Sequence, residues 1–161
     1  MNQKILLKKP YSPSLLSLDK MPGTYLSRVF VGGNYTCQFV VLLEIQKFVN
    51  VFSKGFFTPI LAADFDFEKE DERSACLRLL HNCKFAIFEL TTSAGQIIEI
   101  EAAKDYGTNF IVLHNSVNPT SIYTAGIKMT NIKDQIIVYR SLDELKSIIS
   151  IYLVQWKNSL R

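Results

Sequence analysis

A chain of 161 residues with 48% apolar and 20% charged side chains has the size and composition of one globular domain with its own core, which excludes the disordered class. A formal net charge of +3 gives no electrostatic case for nucleic acid or an anionic membrane as a partner. No apolar run approaches the roughly 18–20 residues of a membrane span, and MNQKILLKKPYSPS lacks the roughly 7–15 apolar residues of an export signal, so a cytoplasmic protein is expected.

Residues 1–27 hold three of the five prolines (Pro10, Pro13, Pro22), several serines and little periodicity. They are expected to form an extended N-terminal arm, followed by a single domain over residues 28–161. RVFVGG, residues 28–33, is β-branched and aromatic and stops at glycine, as a buried strand does. TCQFVVLLEIQKFVNVFSKG, residues 36–55, reads as a long apolar-rich helix with Gly55 as its C-terminal cap. FFTPILAADF, residues 56–65, is the next strand, and Pro59 places it at an edge or a strand start.

EKEDERSACLRLLHNC, residues 68–83, predicts a second helix whose acidic first turn suits the helix dipole. KFAIFELT, residues 84–91, is apolar nearly throughout and predicts a central strand of a parallel sheet. SAGQIIEIEAAKDYG, residues 93–107, predicts a third helix with Ser93 as N-cap and Gly107 as its stop. NFIVLHN (109–115) is a fourth strand, PTSIYTAGIKM (119–129) a short helix, and DQIIVYR (134–140) a fifth strand. SLDELKSIISIYLVQWKNSL (141–160) closes the chain as a helix capped by Ser141, with Glu144 in the capping-box position.

Strands and helices alternate, which predicts an α/β domain of three layers: a five-stranded, mainly parallel sheet with helices on both faces, flavodoxin-like or Rossmann-like. The cysteines Cys37, Cys76 and Cys83 form no CxxC and no zinc spacing, and Cys76 and Cys83 read as core. With only His81 and His114 present, no metal site and no cofactor are expected. The acidic stretch DFDFEKEDE reads as a solvated helix start in preference to a magnesium site.

Ligands of such sheets bind outside the carboxyl ends of the strands. The residues found there are Gly32, Gly33, Asn34 and Tyr35 after the first strand, Asp64 after the second, Glu89 to Gly95 after the third, and His114 at the end of the fourth. There is no GxGxxG and no GxxxxGK[ST], which disfavours a dinucleotide fold of that type or a P-loop. In the third loop, Ser93 and Gly95 lie where a helix N-terminus meets the crevice, a place suited to a phosphate or a sugar hydroxyl. Glu99 lies about one turn further in and leans back toward that end. Glu101 is roughly 200° around the same helix, so at most one of the two faces the crevice. The competing reading of each residue is structural: a solvated helix charge for Glu99, an N-cap for Ser93, a strand-end carboxylate for Glu89, a packed ring for His114.

KFAIFEL followed by TTSAGQIIEIEAA resembles the signature of the nucleoside 2-deoxyribosyltransferases and related nucleotide N-glycosidases: a strand, a loop, Ser-x-Gly, a glutamate four residues after the glycine, and an Ile/Leu-x-x-Ala helix. The matching positions are Ser93, Gly95, Glu99, Ile100 and Ala103. The resemblance implies that Glu99 attacks the anomeric carbon of a nucleoside or nucleotide, that Ser93 contacts a 5′-phosphate where there is one, and that Tyr35, in the GGNY loop, positions the nucleophile. It implies a supporting aspartate from between the second and third strands, where Asp64, Asp66 and Asp71 are all candidates, and it implies a homo-oligomer. The sequence departs from the pattern at Ile97 and Ile98, which stand where a glycine and an aromatic are usual, at Glu101 in place of a glycine, and in a first loop without arginine. These departures favour an alternative: a nucleotide-sensing domain, TIR-like or non-catalytic, that binds its ligand without turnover.

Overall fold

The computed structural model describes residues 15–92, 95–115 and 136–161. The expected short helix over 119–129 lies outside them, as does Ser93. The described elements are β1 (Leu16–Ser17), β2 (Arg28–Gly32), α1 (Phe39–Phe52), β3 (Thr58–Leu61), β4 (Phe65–Asp66), α2 (Glu72–His81), β5 (Phe85–Glu89), α3 (Gln96–Tyr106), β6 (Asn109–Asn115), β7 (Ile136–Tyr139) and α4 (Leu142–Ser159). Five strands form one parallel sheet in the order β3-β2-β5-β6-β7, and β1 and β4 form a separate parallel pair. Helices cover both faces, so the protein is an α/β domain of three layers, consistent with the flavodoxin-like or Rossmann-like class.

Residue pattern explains the layers. Every residue of β5 is buried, as its apolar run requires of a central strand. Alternation sends Phe85 and Ile87 to one face with α1 and α4, and Ala86 and Phe88 to the other with α2 and α3. α1 presents Leu42, Ile45 and Val49 to the sheet, and α4 presents Leu145, Ile149, Leu153 and Trp156; both sets recur at helical spacing. Burying Phe85, Ile87 and Phe88 contributes about 1.5–3 kcal/mol each. Pro59 sits in β3, which among the described strands lies at the sheet edge beside β2, a position that tolerates a residue without an N–H.

The helix ends have local causes. Asp71 caps α2, its carboxylate accepting from Ser74 N at 2.8 Å. Ser141 caps α4 by accepting from Glu144 N at 3.1 Å. The return bond of that box is displaced by one residue, because Glu144 accepts from Arg140 N. Helix α3 starts later than its sequence suggested: the N-cap is Gly95, with no side-chain cap bond. It stops at Gly107, whose φ of 70° favours glycine. The long first helix ends at Phe52, and Gly55, also at positive φ, closes the turn beyond it by donating to Asn50 O at 3.0 Å.

The described part of the N-terminal stretch packs onto the domain. Leu16–Ser17 pairs with Phe65–Asp66, and Leu18 is buried in the cluster that contains Ala75, Cys76, Leu79 and Leu80 of α2. Asp19 forms an ion pair with Arg78 of α2, which also pairs with Glu70. The Arg28 guanidinium donates to the carbonyls of Met21, Pro22, Gly23 and Asn82. None of the described helices is long and apolar enough to cross a membrane.

Candidate functional site

The strand order reverses beside β2. The first crossover runs outward from β2 to β3, and the chain then returns past β2 to β5. A crevice therefore opens between the carboxyl ends of β2 and β5, the place where sheets of this kind bind ligands. Gly32 ends β2 and pairs with Phe88 of β5 at this point.

Glu99 reaches into the crevice from the first turn of α3. A Cβ built on Gly32 would stand 2.9 Å from Glu99 Oε2, and equally close to ring carbons of Phe30 and Phe88. The glycine is there because the carboxylate and two rings occupy the space of a side chain. A cleft of about 660 Å³ opens in front of Glu99. One wall is α3, with Gly95 and Ile98; the other is α2, with Glu72, Arg73, Cys76 and Leu77. Glu101 points elsewhere: it is exposed and pairs with Lys104 at 3.2 Å, so the two glutamates divide as the helix period requires.

Burial raises the pKa of Glu99 to about 7, with the charge of Glu72 adding to the shift and the Cys76 thiol opposing it. A helix N-terminus by itself favours the anion. Desolvation and a like charge outweigh the dipole here. Tyr35 lies half-buried against Phe39, with ring centroids 5.7 Å apart. Its hydroxyl is buried, with the backbone of Ala62 and Ala63 close enough to oppose the rise in its pKa. Burial, then Cys76 and Glu99, raise its pKa, which places the phenol in the electrostatic reach of the same carboxylate.

The remaining candidates take other places. Gly33 makes room for α1: a Cβ there would stand 2.6 Å from Leu42 Cδ2. Asn34 shapes the turn into α1, its Oδ1 accepting from Thr36 N and Cys37 N at 2.9 and 3.0 Å. Asp64 accepts from Gln46 of α1 and does not line the cleft. Asp66 accepts from Glu68 N. Of the three aspartates left open by the sequence, Asp71 alone lines the cleft, where its bonds to Ser74 hold its pKa below the usual carboxylate value.

Glu89 and His114 are outside the Glu99 cleft. Glu89 follows Ile87 in the strand alternation and faces the opposite layer, where it accepts from Thr91 N, Thr91 Oγ1 and Tyr139 OH. Burial raises its pKa, and these donors oppose the rise. Glu89 is a buried strut joining β5 to β7. Glu89→Gln is expected to lower the thermal unfolding midpoint while leaving any base release by the folded protein within about twofold of wild type, as assayed by chromatography. His114 is buried at the end of β6 on the α2/α3 face, and burial lowers its pKa.

Glu72, Cys76 and Leu77 were not singled out as site residues by the sequence. Glu72 and Cys76 are four apart, so they share a helix face, but that this face looks onto α3 is a tertiary fact. All three cysteines are free, Cys76 and Cys83 buried and Cys37 exposed. Among the described residues no group of three or more His, Cys, Asp or Glu is disposed to hold a metal ion. Comparison with models of known protein families, with curated proteins and with solved structures finds no match to this chain.

Proposed function

We propose that the protein cleaves or transfers the N-glycosidic bond of a nucleoside or nucleotide, with Glu99 as the nucleophile. The observation that carries this reading is the Glu99 carboxylate, set at the switch point against a glycine and facing a cleft large enough for a small molecule. In the reaction, a Glu99 oxygen bonds to the anomeric carbon as the carbon–nitrogen bond breaks and its electron pair leaves with the base. The base must take up a proton, and solvent at the open cleft mouth can supply it. Asp71 suits that role poorly, because its bonds to Ser74 favour the anion. Water or an acceptor base then displaces the carboxylate. Leu77 and Ile98 supply apolar surface on opposite walls, suited to a planar base.

The test is incubation of wild-type and Glu99→Gln protein with nucleosides, nucleoside monophosphates and NAD, with and without an acceptor base, read by chromatography for released or exchanged base. Glutamate-dependent release supports the reading. A protein that binds a panel member and releases nothing supports the second reading, a nucleotide-sensing domain without turnover. Ile98 favours that alternative, since it exposes 41% of its surface at the cleft and narrows the room beside Glu99. The glycosidase reading carries with it a cytoplasmic homo-oligomer. The exposed Val51 of α1 and Ile151 and Val154 of α4 offer apolar surface for such association.

The pH dependence follows from the raised pKa. A nucleophile must be ionised, so base release is expected to rise with pH through about 7 and to level off above it. Glu72→Gln removes the like charge, so its acid limb should lie at lower pH even where the plateau falls. A rate profile from pH 5 to 9 for both proteins checks this. Stability runs the other way. A carboxyl whose folded pKa is raised contributes stability below its unfolded value, and loses it as pH rises through the folded value.

A further inference from the structure

We propose that Gln96 is a positioning residue for Glu99: its side-chain amide ties the first turn of α3 to the end of β5, and so fixes how far the carboxylate reaches toward Gly32. The inference rests on Glu99 being the working carboxylate of the proposed reaction. It concerns a residue that neither the sequence motif nor the cleft lining marks out.

Helix α3 begins at Gly95, which has no side chain to cap the first turn. That turn closes on its own backbone, with Ile98 N and Glu99 N donating to Gly95 O at 3.1 and 3.3 Å. These bonds shape the turn but do not tie it to the sheet. Gln96 does so from a buried position: its Nε2 donates to Glu89 O at 3.3 Å and to Thr92 O at 2.9 Å. Both partners are carbonyl oxygens, which only accept, so the two amide protons are what this place requires. Glu89 is the last residue of β5, so one side chain clamps the strand end, the chain leaving it and the start of the helix. The clamp stands beside the crevice. Glu89 O lies 3.3 Å from a Cβ built on Gly33, and Gly32 pairs with Phe88 of β5. Gln96 and Glu99 are three residues apart and share a helix face, which runs on into the core through Ile100 and Ala103. Without the amide, two carbonyls at a buried loop lose a donor, and the helix end shifts to let water reach them. A shift at Gln96 passes to Glu99 within one turn, and a displacement of about 1 Å is enough to spoil the line of attack on an anomeric carbon.

The test separates the clamp from general stability. Gln96→Met keeps the length and removes both donors; Gln96→Asn keeps the amide but is one methylene short of the strand carbonyl. Ser141→Ala is the comparison, since it removes the cap of α4 on the far side of the sheet and lowers the thermal midpoint without touching α3. The Glu99 side-chain carboxyl is followed by carbon NMR on protein labelled at glutamate, with Glu99→Gln giving the assignment. Burial is the main cause that holds its pKa up, and the titratable groups beside it, Glu72 and Cys76 of α2 and Tyr35 after β2, lie outside α3. A carboxylate that leaves its place gains water. Its titration midpoint is therefore expected to fall by about half a unit or more in both Gln96 variants and to stay at the wild-type value in Ser141→Ala. For base release by folded protein, kcat should drop by about tenfold in the Gln96 variants with KM within about twofold of wild type. Glu99 midpoints in both Gln96 variants that match Ser141→Ala would overturn the assignment and leave Gln96 a support of the fold alone. Lowered midpoints, in a protein whose wild type also releases no base, would uphold the clamp and remove the glycosidase reading instead.

Discussion

Glu99→Gln is expected to lower base release by about 10³-fold or more, while the protein folds as before. Glutamine keeps the shape of the side chain and its contact with Gly32, and it loses the anion that forms the glycosyl intermediate. The stability readout separates this from general damage. Above pH 7 the wild-type protein must hold a buried carboxylate that burial and Glu72 both disfavour in its ionised form. Each unit between folded and unfolded pKa is about 1.4 kcal/mol, so the variant should match or exceed wild type in thermal midpoint at pH 8 and lose that advantage at pH 5. Activity lost together with the thermal midpoint at pH 8 would mean that Glu99 supports the fold and performs no chemistry.

Gly32→Ala is the second large effect. A methyl at this position meets Glu99 Oε2, Phe30 Cε1 and Phe88 Cδ1, each at 2.9 Å. The two rings belong to a packed core and cannot both retreat, so overpacking should cost about 1–3 kcal/mol in urea unfolding. The carboxylate is the most easily moved of the three neighbours, and its displacement should reduce kcat by about 10²-fold. Gly33→Ala is the comparison. Its methyl meets Leu42 on the other side of the loop, so it should destabilise by a similar amount with far less loss of turnover in the protein that remains folded. Equal losses of kcat in the two variants would show that the loop as a whole matters, and not the approach of Glu99 to β2.

Much of the architecture was legible because it rests on local patterns. The β-branched and apolar runs at 28–32, 85–89 and 109–115, the capping residue Ser141, and the stop at Gly107 each act within a few residues of themselves. The proline that marks β3 as an edge is likewise a one-residue argument. The division of Glu99 from Glu101 was legible because helix geometry alone decides it. What was not legible depends on which helix faces which. Glu89 ends its strand as a ligand contact would, yet strand alternation and Tyr139 turn it to the far layer. The raised pKa of Glu99 was not legible, because a sequence shows the helix terminus but not the burial, nor the glutamate across the cleft. Cys76 read as core, and it is core; that the same thiol borders a cleft requires α2 and α3 to be seen together.

The wall that carries Glu72, Cys76 and Leu77 is a ten-residue helix with two sides. Its back is braced by the segment before β2, through Leu18 in the core and Asp19 on Arg78. Arg28 in turn ties residues 21–23 to the first strand. Residues 15–27 therefore act as a buttress behind one jaw of the cleft. A cut or a bound partner there would leave the sheet and Glu99 itself untouched, yet it would let the jaw tilt. The width of the opening is thus set partly from a stretch of chain that does not itself line the cleft.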